Sequence, residues 1–113
     1  MIYLDYNATT PIDEKAYKAM LPYLESQFGN PSNSYELGQL AKSGVENARN
    51  QVAELISAKD SEILFTGCGS ESNNMIVKGA AYTYKNKGNH IITSCIEHPS
   101  ILEPLSFLER GGY

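Results

Sequence analysis

Two short segments hold the residue types most capable of chemistry. The first is Gly67-Cys68-Gly69-Ser70, followed by Glu71-Ser72-Asn73-Asn74, at the point where an apolar run gives way to a helical pattern. Glycines let a ligand approach the backbone closely, and the free amides and dipole of a helix start favour an anion. Ser70 adds a hydroxyl donor, so the segment has the form of a phosphate cup. A plain glycine turn, with Ser70 capping the helix behind it, accounts for the same residues. The second segment is Cys95-Ile96-Glu97-His98-Pro99. A flat imidazole can stack on an aromatic ligand or move a proton, whereas a His beside a Pro also reads as an N-terminal cap or a surface residue.

Several other chemistries are excluded by spacing. A P-loop needs Lys directly after its last Gly, and Ser70 stands there instead. The dinucleotide fingerprint needs a third Gly where this chain has Ser72. His90, His98, Cys68 and Cys95 have no close ligand spacing, so no metal site is expected. A helix start would lower the thiol pKa of Cys68, but the sequence sets no base beside it. Two cysteines form neither a disulfide framework nor a CxxC pair, which points to reduced thiols and a cytoplasmic setting.

Composition narrows the partners. Nine Lys and Arg against thirteen Asp and Glu leave a net charge of −4, the wrong sign for a nucleic-acid footprint. An apolar share of 42% supports a packed core, and 113 residues make one small domain at most. No stretch reaches the roughly 20 apolar residues that span a bilayer, so no membrane partner is expected. The start lacks the positive and apolar regions of a signal peptide.

The elements that must position the two segments follow from periodicity. Residues 1–12 read as an extended arm, and Asp13 offers an N-cap to a helix carrying Ala16, Met20, Tyr23 and Leu24, which Pro22 should bend or restart. A turn-rich loop at 28–34 precedes the clearest helix, with Leu37, Ala41, Val45, Ala48, Val52, Leu55 and Ile56 on one stripe. Ile63-Leu64-Phe65 reads as a buried strand, a third helix runs from Ser70 towards Gly88, and His90–Ser94 reads as a second strand. A last helix carries Ile101, Leu102, Leu105 and Leu108. This order predicts an α/β fold with a parallel βαβ core flanked by helices, which puts His98 on the same sheet edge as the glycine turn. The pattern calls for a further strand where Tyr113 ends the chain, so a fragment of a larger domain is expected, with 13–113 as its first part.

Four stretches together resemble cysteine desulfurases: Tyr3-Leu4-Asp5-Tyr6-Asn7-Ala8-Thr9-Thr10-Pro11, Phe28-Gly29-Asn30-Pro31-Ser32, Phe65-Thr66 through Ser70-Glu71-Ser72-Asn73-Asn74, and Glu97-His98. The resemblance covers essentially the whole chain but a third or less of the family's usual length. It implies the fold-type I architecture of pyridoxal-phosphate-dependent transferases, with residues 13–113 as the first part of the cofactor-binding large domain, and a homodimer. It implies the removal of sulfur from L-cysteine to give L-alanine and an enzyme persulfide, which passes to a sulfur acceptor or an iron–sulfur scaffold protein. By position, Gly69 and Ser70 would hold the pyridoxal 5'-phosphate, His98 would stack on its ring and assist proton transfer, and Asn7 and Ala8 would lie near the substrate entrance.

The departures from the family pattern are specific. Gly67-Cys68 stands where the family usually has Ser-Gly, Ser70 where Thr is common, and Tyr35 where His is frequent. The family's Schiff-base lysine, the acid partner of the pyridine nitrogen and the mobile persulfide cysteine lie beyond the point corresponding to Tyr113. The chain alone is therefore expected to be inactive. A selenocysteine lyase or another class V aminotransferase relative, and a non-catalytic truncated module, are the alternatives.

Overall fold

Asp13 starts the first helix as its sequence position requires. In the computed structural model, which describes residues 2–113, its carboxylate accepts hydrogen bonds from the amides of Lys15 at 2.8 Å and Ala16 at 3.2 Å. Helix α1 spans Glu14–Glu25 and runs through Pro22 without restarting. Helix α2 spans Glu36–Leu55, twenty residues that carry the predicted stripe. The chain divides into two compact units, one ending at Ile63 and the other covering Leu64–Tyr113.

In the first unit the Tyr23 ring lies on Gly44: a Cβ there would come within 2.6 Å of ring carbons, so glycine is what lets α1 approach α2. Arg49 on α2 donates to the Ile63 carbonyl at 2.6 Å, which anchors the chain after the short 3-10 turn at Asp60–Glu62. The loop before α2 is fastened by its own polar groups. Asn33 donates to the Tyr35 hydroxyl at 2.8 Å, and Gln39 donates to the Asn33 carbonyl at 2.8 Å. Tyr35, at the family's frequent His position, thus acts in the entry to α2.

The second unit is built on α3 (Gly69–Thr83) and α4 (Pro99–Arg110). Contacts pair start with start and end with end. Asn73 donates to Ser100 at 2.8 Å, the Lys78 ammonium lies 4.2 Å over the Phe107 ring, and the Tyr113 hydroxyl donates to the Ala81 carbonyl at 3.1 Å. The two helices therefore run parallel, and residues 84–98 carry the chain back between them. Leu108, 1% exposed, is the one large side chain among the described residues that is fully buried.

The predicted βαβ core is not seen among the described residues. Ile63–Phe65 and His90–Ser94 belong to no strand, and the described residues contain no ladder. The reason is that a strand is defined by its neighbour: without hydrogen bonds from an adjacent strand, an apolar extended segment stays an extended segment. No backbone hydrogen bond joins residues 90–93 to any other part of the described chain. The cost appears as bare apolar surface. Ile92 is 87% exposed and Ile76 67%.

Candidate functional site

The glycine turn is tied by side chains on both flanks. The Thr66 hydroxyl donates to the Cys68 carbonyl at 3.1 Å and lies 2.6 Å from the Ser72 hydroxyl. Glu71 reaches back, its carboxylate accepting the Gly67 N–H at 2.7 Å. Cys68 occupies the N-cap position of α3 in extended geometry, with no capping bond from its side chain. Ser70 is therefore not the cap; it is the second residue of the helix.

This arrangement leaves backbone amides free at the start of α3. The first intrahelical acceptor, the Cys68 carbonyl, takes the amide of Ser72, so the N–H groups of Gly69, Ser70 and Glu71 precede the helical ladder. They lie at the positive end of the helix dipole. The Ser70 side chain is exposed and has no partner among the described residues. A Cβ at Gly69 would meet no atom within 4 Å, so nothing in this chain requires glycine there. A phosphate approaching the backbone would supply that requirement, and three amides with one hydroxyl fit such a group.

His98 is the N-cap of α4, with Pro99 as the first helical residue. Its Nδ1 accepts the Ser100 N–H at 3.1 Å and lies 2.8 Å from the Ser100 hydroxyl, which itself accepts from Asn73 of α3. Both readings of a His beside a Pro meet here: the residue is a cap, and its ring is exposed. Because α3 and α4 run parallel, His98 and the cup of Gly69 and Ser70 lie at the same end of the unit, even though no sheet edge carries them.

Asn7 and Ala8 belong to the first unit. They are exposed in a turn closed by the bond from the Ala8 amide to the Asp5 carbonyl at 3.1 Å, beside the edge-to-face pair Tyr3–Tyr6. Cys68 and Cys95 are free, exposed thiols. Among the described residues no group of His, Cys, Asp or Glu could hold a metal, and no helix is long and apolar enough to cross a membrane. A groove of about 400 Å³ along α4, lined by residues including His90, Ile91, Leu102 and Tyr113, contains none of the site residues. Sequence reasoning did not single out Asn73, Ser100 or the role of Glu71. The spacing of Ser100 two residues beyond a capping His was the available signal.

Comparison with known proteins adds independent information. Residues 2–113 match the sequence pattern of the family described as Aminotransferase class-V. The chain is 49% identical over 112 residues to the cysteine desulfurase IscS of Dictyoglomus turgidum, covering 99% of this chain and 28% of that protein. It is 50% identical over 112 residues to the cysteine desulfurase IscS of Rickettsia typhi, covering 98% of this chain and 27% of that one. Among solved structures, a NifS-like protein superimposes with a TM-score of 0.91 at 37% identity, over 99% of this chain and 31% of its own. A structure described as SspA in complex with cysteine gives 0.87 at 38% identity, over 98% and 32%. The chain thus spans just over a quarter of the length of these curated relatives.

Proposed function

The chain belongs to the aminotransferase class-V family, and from that premise we propose that it is the N-terminal part of a cysteine desulfurase. The observation that carries the reading is identity of about 50% to cysteine desulfurases along essentially the whole chain. The completed protein takes L-cysteine as its substrate, in keeping with the cysteine held by the SspA structure, and releases L-alanine while retaining the sulfur as a persulfide. It adopts the fold-type I architecture, in which strands from the remaining polypeptide pair with residues 63–65 and 90–94. It works as a cytoplasmic homodimer and passes sulfur to an acceptor such as an iron–sulfur scaffold protein.

The residues present fit pyridoxal phosphate. The amides of Gly69 and Ser70 and the Ser70 hydroxyl hold its phosphate, with the helix dipole favouring the dianion. Pyridoxal phosphate, when bound, supplies the electron sink that stabilises negative charge next to the amino group of an amino acid. His98 offers a flat face for an aromatic ring and, at Nε2, a group able to hold or give a proton. Glu71 neutralises the stray Gly67 N–H and so keeps the turn closed. Asn7 and Ala8 serve the substrate side.

The test is a chimera in which these 113 residues replace the matching segment of the Dictyoglomus turgidum desulfurase. Sulfide release from L-cysteine is expected, with none above the cofactor-only control from the 113 residues by themselves. A folded, cofactor-loaded chimera that releases no sulfide would overturn the reading.

A further inference from the structure

We propose that Ser100 and Asn73 are positioning residues that hold His98 in its Nε2–H tautomer and leave Nε2 as the single ring nitrogen available for proton exchange. The bearing of this arrangement on turnover rests on the function proposed above; the arrangement itself does not.

The argument follows donors and acceptors along one chain of contacts. A backbone N–H can only donate, and that of Ser100 points at Nδ1 from 3.1 Å, so Nδ1 presents a lone pair. The side-chain amide nitrogen of Asn73 can only donate, and its partner is the Ser100 oxygen at 2.8 Å. The Ser100 hydroxyl, 2.8 Å from an Nδ1 without hydrogen, can act there only as a donor, sharing the single lone pair with the backbone N–H. Every bond runs one way, from α3 through Ser100 to the ring. A neutral imidazole that accepts at Nδ1 carries its proton at Nε2. The contact also joins residues 27 apart in sequence, so it sets the ring by reference to the helix that bears the phosphate cup. A ring fixed in tautomer and angle loses less freedom when a ligand stacks on it.

The experiment uses the 113-residue chain labelled with ¹⁵N at histidine, at about pH 8, where free imidazole is neutral. Only His90 and His98 report, and His90, without such partners among the described residues, is the internal control. His98 is expected as essentially one tautomer, protonated at Nε2, while His90 shows the mixture of free imidazole. Ser100→Ala and Asn73→Asp should each move the His98 Nδ1 resonance towards that of an unbonded nitrogen. Asn73→Asp acts by drawing the Ser100 hydroxyl towards its own carboxylate. Ser100→Thr should restore the parent signal, which separates loss of the hydroxyl from loss of folding. A His98 protonated at Nδ1, or an Nδ1 resonance indifferent to both substitutions, overturns the proposal. In the chimera, Ser100→Ala should lower kcat about fivefold, one neutral hydrogen bond's worth, with KM little changed. An unaltered kcat beside the expected spectra would sink the role assigned to His98 in turnover while the positioning stands.

Discussion

Replacing Leu108 with Ala tests whether the second unit depends on a single buried anchor. Leu108 is 1% exposed on the inner face of α4, and no other large side chain among the described residues is fully buried. Removing its three outer carbons forfeits about 2.4 kcal/mol of transfer free energy, and the unfilled space raises the total to about 3–5 kcal/mol. A unit of fifty residues at ordinary specific stability has only about 2.5–7.5 kcal/mol to lose. The substitution should therefore melt α3 and α4 together. Amide hydrogen exchange across Gly69–Thr83 reads this directly, because those amides lie on the helix that Leu108 does not belong to. The contrasting variant is Ile76→Ala, whose side chain is 67% exposed and whose loss should change stability by no more than about 0.5 kcal/mol. If Ile76→Ala lowers protection as far as Leu108→Ala does, the outer face is not bare and the reasoning fails.

Three further substitutions separate the parts of the site in the chimera. Ser70→Ala removes one charge-assisted hydrogen bond to phosphate and should weaken pyridoxal phosphate binding by about 1.5–3 kcal/mol, roughly ten- to hundredfold, as read by cofactor titration. Gly69→Ala meets open space in the chain, so thermal stability should hold while cofactor affinity falls; retained affinity would show that no ligand approaches that backbone. His98→Asn keeps a residue able to cap α4 but removes the ring, so stability should hold and sulfide release should fall with most cofactor still bound. Normal turnover in that variant would reduce His98 to its capping role.

The helices were legible because their causes are local. Asp13 caps α1 and the stripe from Leu37 to Leu55 lies on α2, with Ile56 as its C-cap, whereas α3 ends at Thr83, before the Gly88 read as its stop, and a short 3-10 turn at Lys85–Lys87 fills the gap. The strands are not seen because their cause is not local: Ile63–Phe65 and His90–Ser94 have the right residues, but no strand is assigned to either among the described residues. The glycine turn before α3 and the capping place of His98 were legible from glycine spacing and from the residues around them, yet Ser70 proved to follow the cap rather than to be it. The Asn73–Ser100–His98 chain was beyond sequence reasoning, since it depends on two helices running parallel with their starts in register.

That difference in origin explains why the binding geometry and the missing sheet are separable. An anion site at a helix start needs three amides, a dipole and a small residue, and α3 brings all of them within one turn. Its imidazole is set by a second helix start, and a contact between two side chains is enough to align the two. The sheet, by contrast, requires surface from elsewhere. Ile92 at 87% exposure, with the unpaired backbone on either side of it, is the kind of edge an added strand covers. The bare residues find no cover among those described, while the start of α3 and the His98 imidazole are held at one end of the helix pair by contacts within the unit.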